Sequence, residues 1–133
     1  MNMAIIYKLI EVYKLWQGYL LHFPKTSRYT LGKKIDHCFI KITENIYKAQ
    51  YLIGSRKIPA LEEASLKLDL LRFFLKISWE IEALDNKKYA ILSKRLDEIG
   101  RMLGSWISNL KQKLPLEREN KDSCRGGQPD SWS

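Results

Sequence analysis

The residues of this 133-residue chain that could act as nucleophiles, bases or metal ligands are few, and their spacing suits none of those tasks. There are two cysteines, Cys38 and Cys124, and two histidines, His22 and His37. A tetrahedral zinc site uses Cys and His at short characteristic spacings, which these four lack, so no metal is expected. His37 and Cys38 are neighbours in sequence, and neighbouring side chains on a helix diverge, which leaves no Cys–His pair for nucleophilic attack. Glu62-Glu63 and Asp97-Glu98 are adjacent as well and do not face each other. A di-iron bundle requires Glu-x-x-His motifs, and the chain has none. Gly100 and Gly104 lack the Lys and Ser/Thr of a phosphate-binding loop. The expectation is a protein without catalytic residues and without a cofactor.

The chemistry left is that of cations. Lys and Arg total 23 against 15 Asp and Glu, a formal charge of +8. Residues 28–58 hold seven basic and two acidic residues, and residues 87–113 also hold seven and two, whereas residues 59–86 hold three and six. The excess therefore lies on two segments of the folded body and not in a basic arm. Lys33-Lys34, Arg56-Lys57, Lys87-Lys88 and Lys94-Arg95 are candidate phosphate contacts for a polyanion. The competing reading is a solvated Lys-rich surface. Arg72 and Lys76 stand apart, four residues from each other within Leu70-Leu71-Arg72-Phe73-Phe74-Leu75-Lys76-Ile77, the most apolar stretch of the chain. They either snorkel to water or face a partner. Arg101 resembles them, with Asp97 at i−4 as an available partner.

Four helical segments must position these charges. In the first, Ile5, Leu9, Val12, Trp16, Tyr19 and Phe23 recur at spacings of three and four; in the second, Leu31, Ile35, Cys38, Ile42, Ile46, Ala49 and Ile53 do so. In the third the stripe is Leu61, Ala64, Leu68, Leu71, Leu75, Ser78 and Glu82, and in the fourth Leu92, Leu96, Ile99, Leu103, Trp106 and Leu110. Such spacing collects side chains on one helix face. The third segment has a second stripe, Leu66, Leu70, Phe73, Ile77, Ile81 and Leu84, so it is either central in a bundle or buried between subunits. Gly100 and Gly104, each costing up to about 1 kcal/mol relative to Ala in a helix, predict a close approach of another backbone, from within the bundle or from another subunit.

Pro24, Gly54 to Pro59, Asp85-Asn86 and Pro115 separate the segments. Pro59 and Ala60 ahead of Glu62-Glu63 predict a helix start with acidic residues in its first turn; Asp85 is the expected N-cap of the fourth helix, and Lys111 and Lys113 fall in its last turn. Short connections make neighbours antiparallel. The predicted fold is all-α, an up-down-up-down four-helix bundle over 1–113, followed by a disordered tail over 114–133 that contains Cys124. Cys38 is expected in the core. With two cysteines and no disulfide framework, a reducing, cytoplasmic setting is expected. No apolar run reaches the roughly 18 residues of a membrane span, and Met1 to Trp16 reads as a helix rather than a secretory signal.

Three patches together resemble the accessory variability determinant (Avd) proteins of diversity-generating retroelements. They are Phe23-Pro24-Lys25 with Arg28-Tyr29-Thr30-Leu31-Gly32, then Leu71-Arg72-Phe73-Phe74-Leu75-Lys76, then Tyr89-Ala90 leading into Glu98-Ile99-Gly100-Arg101-Met102-Leu103-Gly104-Ser105-Trp106-Ile107. The resemblance covers about residues 5–112. The first patch is shared with the bundle proteins encoded in 23S rRNA intervening sequences, which favour Ser and then Asn-Ile-Ala-Glu-Gly on the second helix; Lys41 and Asn45-Ile46-Tyr47-Lys48-Ala49 depart from that pattern. The Avd resemblance implies a basic protomer in a cyclic homo-oligomer, a pentamer, that associates with a reverse transcriptase and with RNA and DNA and has no catalysis of its own. It marks Arg72, Lys76 and Arg101 as binding candidates. The alternative is a structural or interaction bundle of the intervening-sequence type with no retroelement role.

Overall fold

A computed structural model of the chain describes residues 3–114. Its helices are α1 (Met3–Leu20), the single turn α2 (Lys25–Arg28), α3 (Leu31–Tyr51), α4 (Lys57–Glu80) and α5 (Asn86–Gln112), with a 3-10 turn at Gly54–Arg56. α1, α3, α4 and α5 form the expected antiparallel four-helix bundle. α3 packs most extensively on α4, α4 on α5, and α5 closes back on α1. α3 and α5, the two most basic helices, therefore lie on a diagonal. The tail expected to be disordered, Cys124 included, lies outside the described residues apart from Leu114.

The core follows the apolar stripes. Ile5, Leu9, Val12 and Trp16 of α1 meet Ile35, Cys38, Phe39, Ile42, Ile46 and Ala49 of α3, and α4 and α5 add Leu61, Leu68, Leu71, Leu75, Leu92, Leu96, Ile99 and Leu103. Each fully buried Leu or Ile contributes roughly 1.5–3 kcal/mol from the area it removes from water. Trp16 joins the layers: it meets Phe23 edge-on at 5.4 Å and stacks on Phe39 at 6.4 Å. Phe23 is held at its turn by Arg28, whose Nη2 donates to the carbonyls of Leu21 and Phe23, both at 3.1 Å. Cys38 is buried, and that burial pushes its thiol up in pKa. His37, one residue earlier, is exposed, so the two side chains point apart as expected.

Two helix ends differ from the sequence reading. α4 starts at Lys57, before Pro59, because proline is tolerated in a first turn where its missing N–H has no intrahelical acceptor. Glu62 and Glu63 therefore sit in the second turn, and the first turn holds no acid. At the other end α4 stops without glycine. Glu82 takes the left-handed conformation at φ 63°, and the N–H groups of Ala83 and Leu84 donate to the Ser78 carbonyl at 2.8 and 3.2 Å. A non-glycine residue there costs about 1–2 kcal/mol. The reversal tucks Leu84 into the core, so that residue leaves the outer stripe to which its spacing assigned it. Asp85 then caps α5 as expected, its carboxylate accepting the Lys88 backbone N–H at 2.8 Å.

Candidate nucleic-acid and partner surfaces

The outward faces of α4, α5 and α3 are chemically distinct. On α4, Leu66, Leu70, Phe73 and Ile77 recur at i, i+4, i+7 and i+11, which places them on one face. That face lies opposite the buried row Leu61, Leu68, Leu71 and Leu75. Leu66 is 60% exposed and Phe73 57%. Exposed carboxylates flank the stripe: Glu62, paired with Lys111 at 2.8 Å, Glu63, 3.9 Å from Lys67, and Glu80. The double apolar character of this segment is thus one stripe in the core and one in solvent, within a single chain.

On α5 the outward residues include Lys87, Lys94 and Arg101, spaced by seven and so on one face about 10 Å apart. Among the described residues no large apolar side chain of α5 is exposed. Lys94, Arg95, Glu98 and Arg101 line one shallow depression with Ile91. Arg95 reaches Glu11 at 3.6 Å and Lys8 reaches Glu98 at 3.2 Å, pairs that tie α1 to α5.

The remaining candidates divide by what they already hold. Arg72 is turned along the bundle: its Nη2 donates to the Leu96 carbonyl at 3.1 Å and its Nη1 lies 3.5 Å from Asp97. Asp97 thus pairs across to α4 and not with Arg101 at i+4. Gly100 is small for the same reason, since a Cβ there would run into the Arg72 guanidinium. Within the bundle, the close neighbour of Gly100 is therefore a side chain rather than a backbone, and beside Gly104 there is open space. Lys76 is exposed, so the pair is not presented side by side: Arg72 ties α4 to α5 and Lys76 reaches solvent. Lys57 donates to the Ala49 carbonyl near the end of α3. Lys88 lies 4.0 Å from Asp85 and 5.5 Å from the centre of the Tyr19 ring, a cation–π distance. Lys33, Lys34 and Arg56 are exposed. The binding candidates are thus scattered over α3, α4 and α5 and the 3-10 turn at Arg56, and they do not converge on one cleft.

Sequence reasoning passed over the aromatics among these cations. Tyr29, beside Lys33, Lys34 and His37, lines a concavity at the start of α3. Tyr47 and Tyr51 are exposed at the other end of α3, edge to face at 5.1 Å with their hydroxyls 3.1 Å apart. Their spacing of four was the available signal. It was masked because neither falls in the apolar stripe that defines the helix.

Comparison with known proteins places this architecture. The family model described as bAvd-like matches residues 4–110. A solved structure of a protein of unknown function from the S23 ribosomal protein family of Bacteroides thetaiotaomicron is similar in fold, with a TM-score of 0.72 at 18% identity, over 80% of this chain and 97% of that one. No curated protein matches. Among the described residues, no helix is long and apolar enough to cross a membrane.

Proposed function

The chain belongs to the bAvd-like family, and from that premise we propose that it is a non-catalytic accessory protein of a diversity-generating retroelement. In this reading it self-associates and binds nucleic acid together with the element's reverse transcriptase in the cytoplasm, supporting mutagenic reverse transcription and retrohoming. The observation that carries the reading is the division of the surface: an apolar, acid-flanked face on α4 and basic faces on α5 and α3. The α4 stripe is the subunit contact. A heterologous contact of this kind closes into a ring when the rotation permits. Five-fold symmetry is the expectation from the family resemblance. The basic faces then repeat around the ring and hold phosphates with little base preference, because phosphate contacts carry no sequence information.

The test is binding of template RNA across a salt series. Each neutralised phosphate contributes about −0.7 to −0.9 to the slope of log affinity against log salt. The expected result is a steep negative slope, and a flat one removes the electrostatic site. The fold likeness to the S23-family protein favours a second reading, an interaction bundle with no retroelement role. A reverse transcriptase gene and a pair of near-identical repeats beside this gene favour the first reading over that one; their absence favours the second.

A further inference from the structure

We propose that the outward face of α3 is a stacking platform for unpaired bases, so that the protein prefers single-stranded to duplex nucleic acid; this rests on the nucleic-acid reading above and adds which form is held, and by which residues. Tyr29, Tyr47 and Tyr51 are 69%, 57% and 70% exposed. Tyr7 of α1 and Phe73 of α4 are exposed as well, at 61% and 57%, but each stands alone on its helix, whereas Trp16, Phe23 and Phe39 are buried. Lys33 and Lys34 stand beside Tyr29, and Lys48 lies between Tyr47 and Tyr51 in sequence, also exposed. Rings with cations beside them thus stand at both ends of α3, Tyr29 in the turn before it and Tyr47 and Tyr51 at its far end, with exposed Ile40 and Glu44 between; such a surface can hold a single strand, bases stacking on the rings while Lys neutralises phosphates. A duplex hides the faces of its bases and engages only the cations.

The geometry favours this over a bland solvated surface. α3 runs about 30 Å from Leu31 to Tyr51, long enough to track several nucleotides. The Tyr47 and Tyr51 rings hold each other through their edge-to-face contact and hydroxyl pair, so less side-chain freedom is lost when a base settles on them. Glu44, which shares this face, is paired with Lys41 at 3.2 Å, which reduces its repulsion of a phosphate. The apolar stripe of α4 lacks such cations along its centre and is the poorer match to a nucleic acid.

The experiment measures affinity for a labelled single-stranded RNA of about twelve nucleotides, the matching duplex, and an abasic strand of the same length. It uses the whole protein and two triple variants at Tyr29, Tyr47 and Tyr51, one with all three changed to Ala and one with all three changed to Phe. The wild type is expected to bind the single strand more tightly than the duplex or the abasic strand. The Ala variant is expected to lose about tenfold or more on the single strand, given the usual worth of one stacked base, and to keep its duplex affinity. The Phe variant, which retains the rings, is expected to bind as the wild type does. Equal single-strand affinity in the Ala variant, or an equal loss in the Phe variant, overturns the platform while the broader reading stands. A change in oligomer size with the Ala variant overturns it too and assigns the face to a protein contact. A wild type that binds none of the three probes overturns both.

Discussion

The outer faces of α4 and α5 are built on neighbouring helices of one bundle, yet they have opposite chemistry. α4 exposes Leu66, Leu70 and Phe73, with half-buried Ile77 continuing the row, between acidic residues; α5 exposes Lys87, Lys94 and Arg101 and no large apolar side chain among the described residues. Neither face contributes its outward residues to the core, because each helix has a separate buried row. Residues that a fold does not require are where function is to be sought, and here the difference separates two tasks. Apolar area seeks a dry protein surface; a row of cations seeks phosphate while remaining wet. In the function proposed above, one face serves assembly and the other nucleic acid.

The largest expected effect breaks the α4 side of that comparison. Changing Leu66 and Phe73 to Glu adds two charges to an apolar face already flanked by carboxylates. If it is a subunit contact, losses at hot spots of at least about 2 kcal/mol each should reduce the assembly to a monomer of 15.7 kDa while circular dichroism stays helical. Light scattering checks it, and an unchanged mass moves the contact elsewhere. Next in size is the α5 side. Lys87→Gln, Lys94→Gln and Arg101→Gln together should flatten the salt slope of RNA binding by about 2–3 and leave the assembly mass unchanged. An unaltered slope in a titration of the triple variant would leave α3 as the electrostatic surface.

The bundle itself was legible because its signal is redundant: each stripe repeats over several turns, and Asp85 marks the start of α5 by both its side chain and its position. The reversal after α4 was not legible. It rests on Glu82 in a conformation that glycine or asparagine would have announced, and it is paid for by burying Leu84. The site was legible only in composition. The sequence located the cations, but whether a given cation is already engaged depends on groups far along the chain, as with Arg72 and Leu96, which are 24 residues apart. For the same reason the neighbour of Gly100 within the bundle was not legible: it is a guanidinium from α4, which no local pattern records.

Two smaller effects sharpen the picture. Arg72→Gln removes the tie from α4 to Leu96 and Asp97 and should cost about 1 kcal/mol of stability in a denaturant titration. Lys76→Gln, which leaves that tie intact, should cost almost nothing there. If Lys76 belongs to the polymerase or RNA surface, its change should still weaken a pull-down of reverse transcriptase. Normal capture by a folded variant carrying both changes removes both residues from the binding surface, leaving Arg72 as a tie between helices and Lys76 as a solvated cation. Smallest is Glu82→Gly, which relieves the left-handed strain and should raise stability by about 1 kcal/mol. A loss of stability instead would mean that the Glu82 side chain holds the turn in place.

The division of labour between the two faces is tested most directly by one measurement, the mass of the protein mixed with template RNA at low salt and again near 1 M salt by sizing with light scattering. An apolar contact survives high salt and a phosphate contact does not, because counterions at high concentration remove the gain from their release. The account predicts a protein–RNA complex at low salt and, at high salt, RNA-free protein that keeps its oligomeric mass. A protein that is monomeric at 15.7 kDa in both conditions, or one that still carries its RNA at high salt, would contradict it.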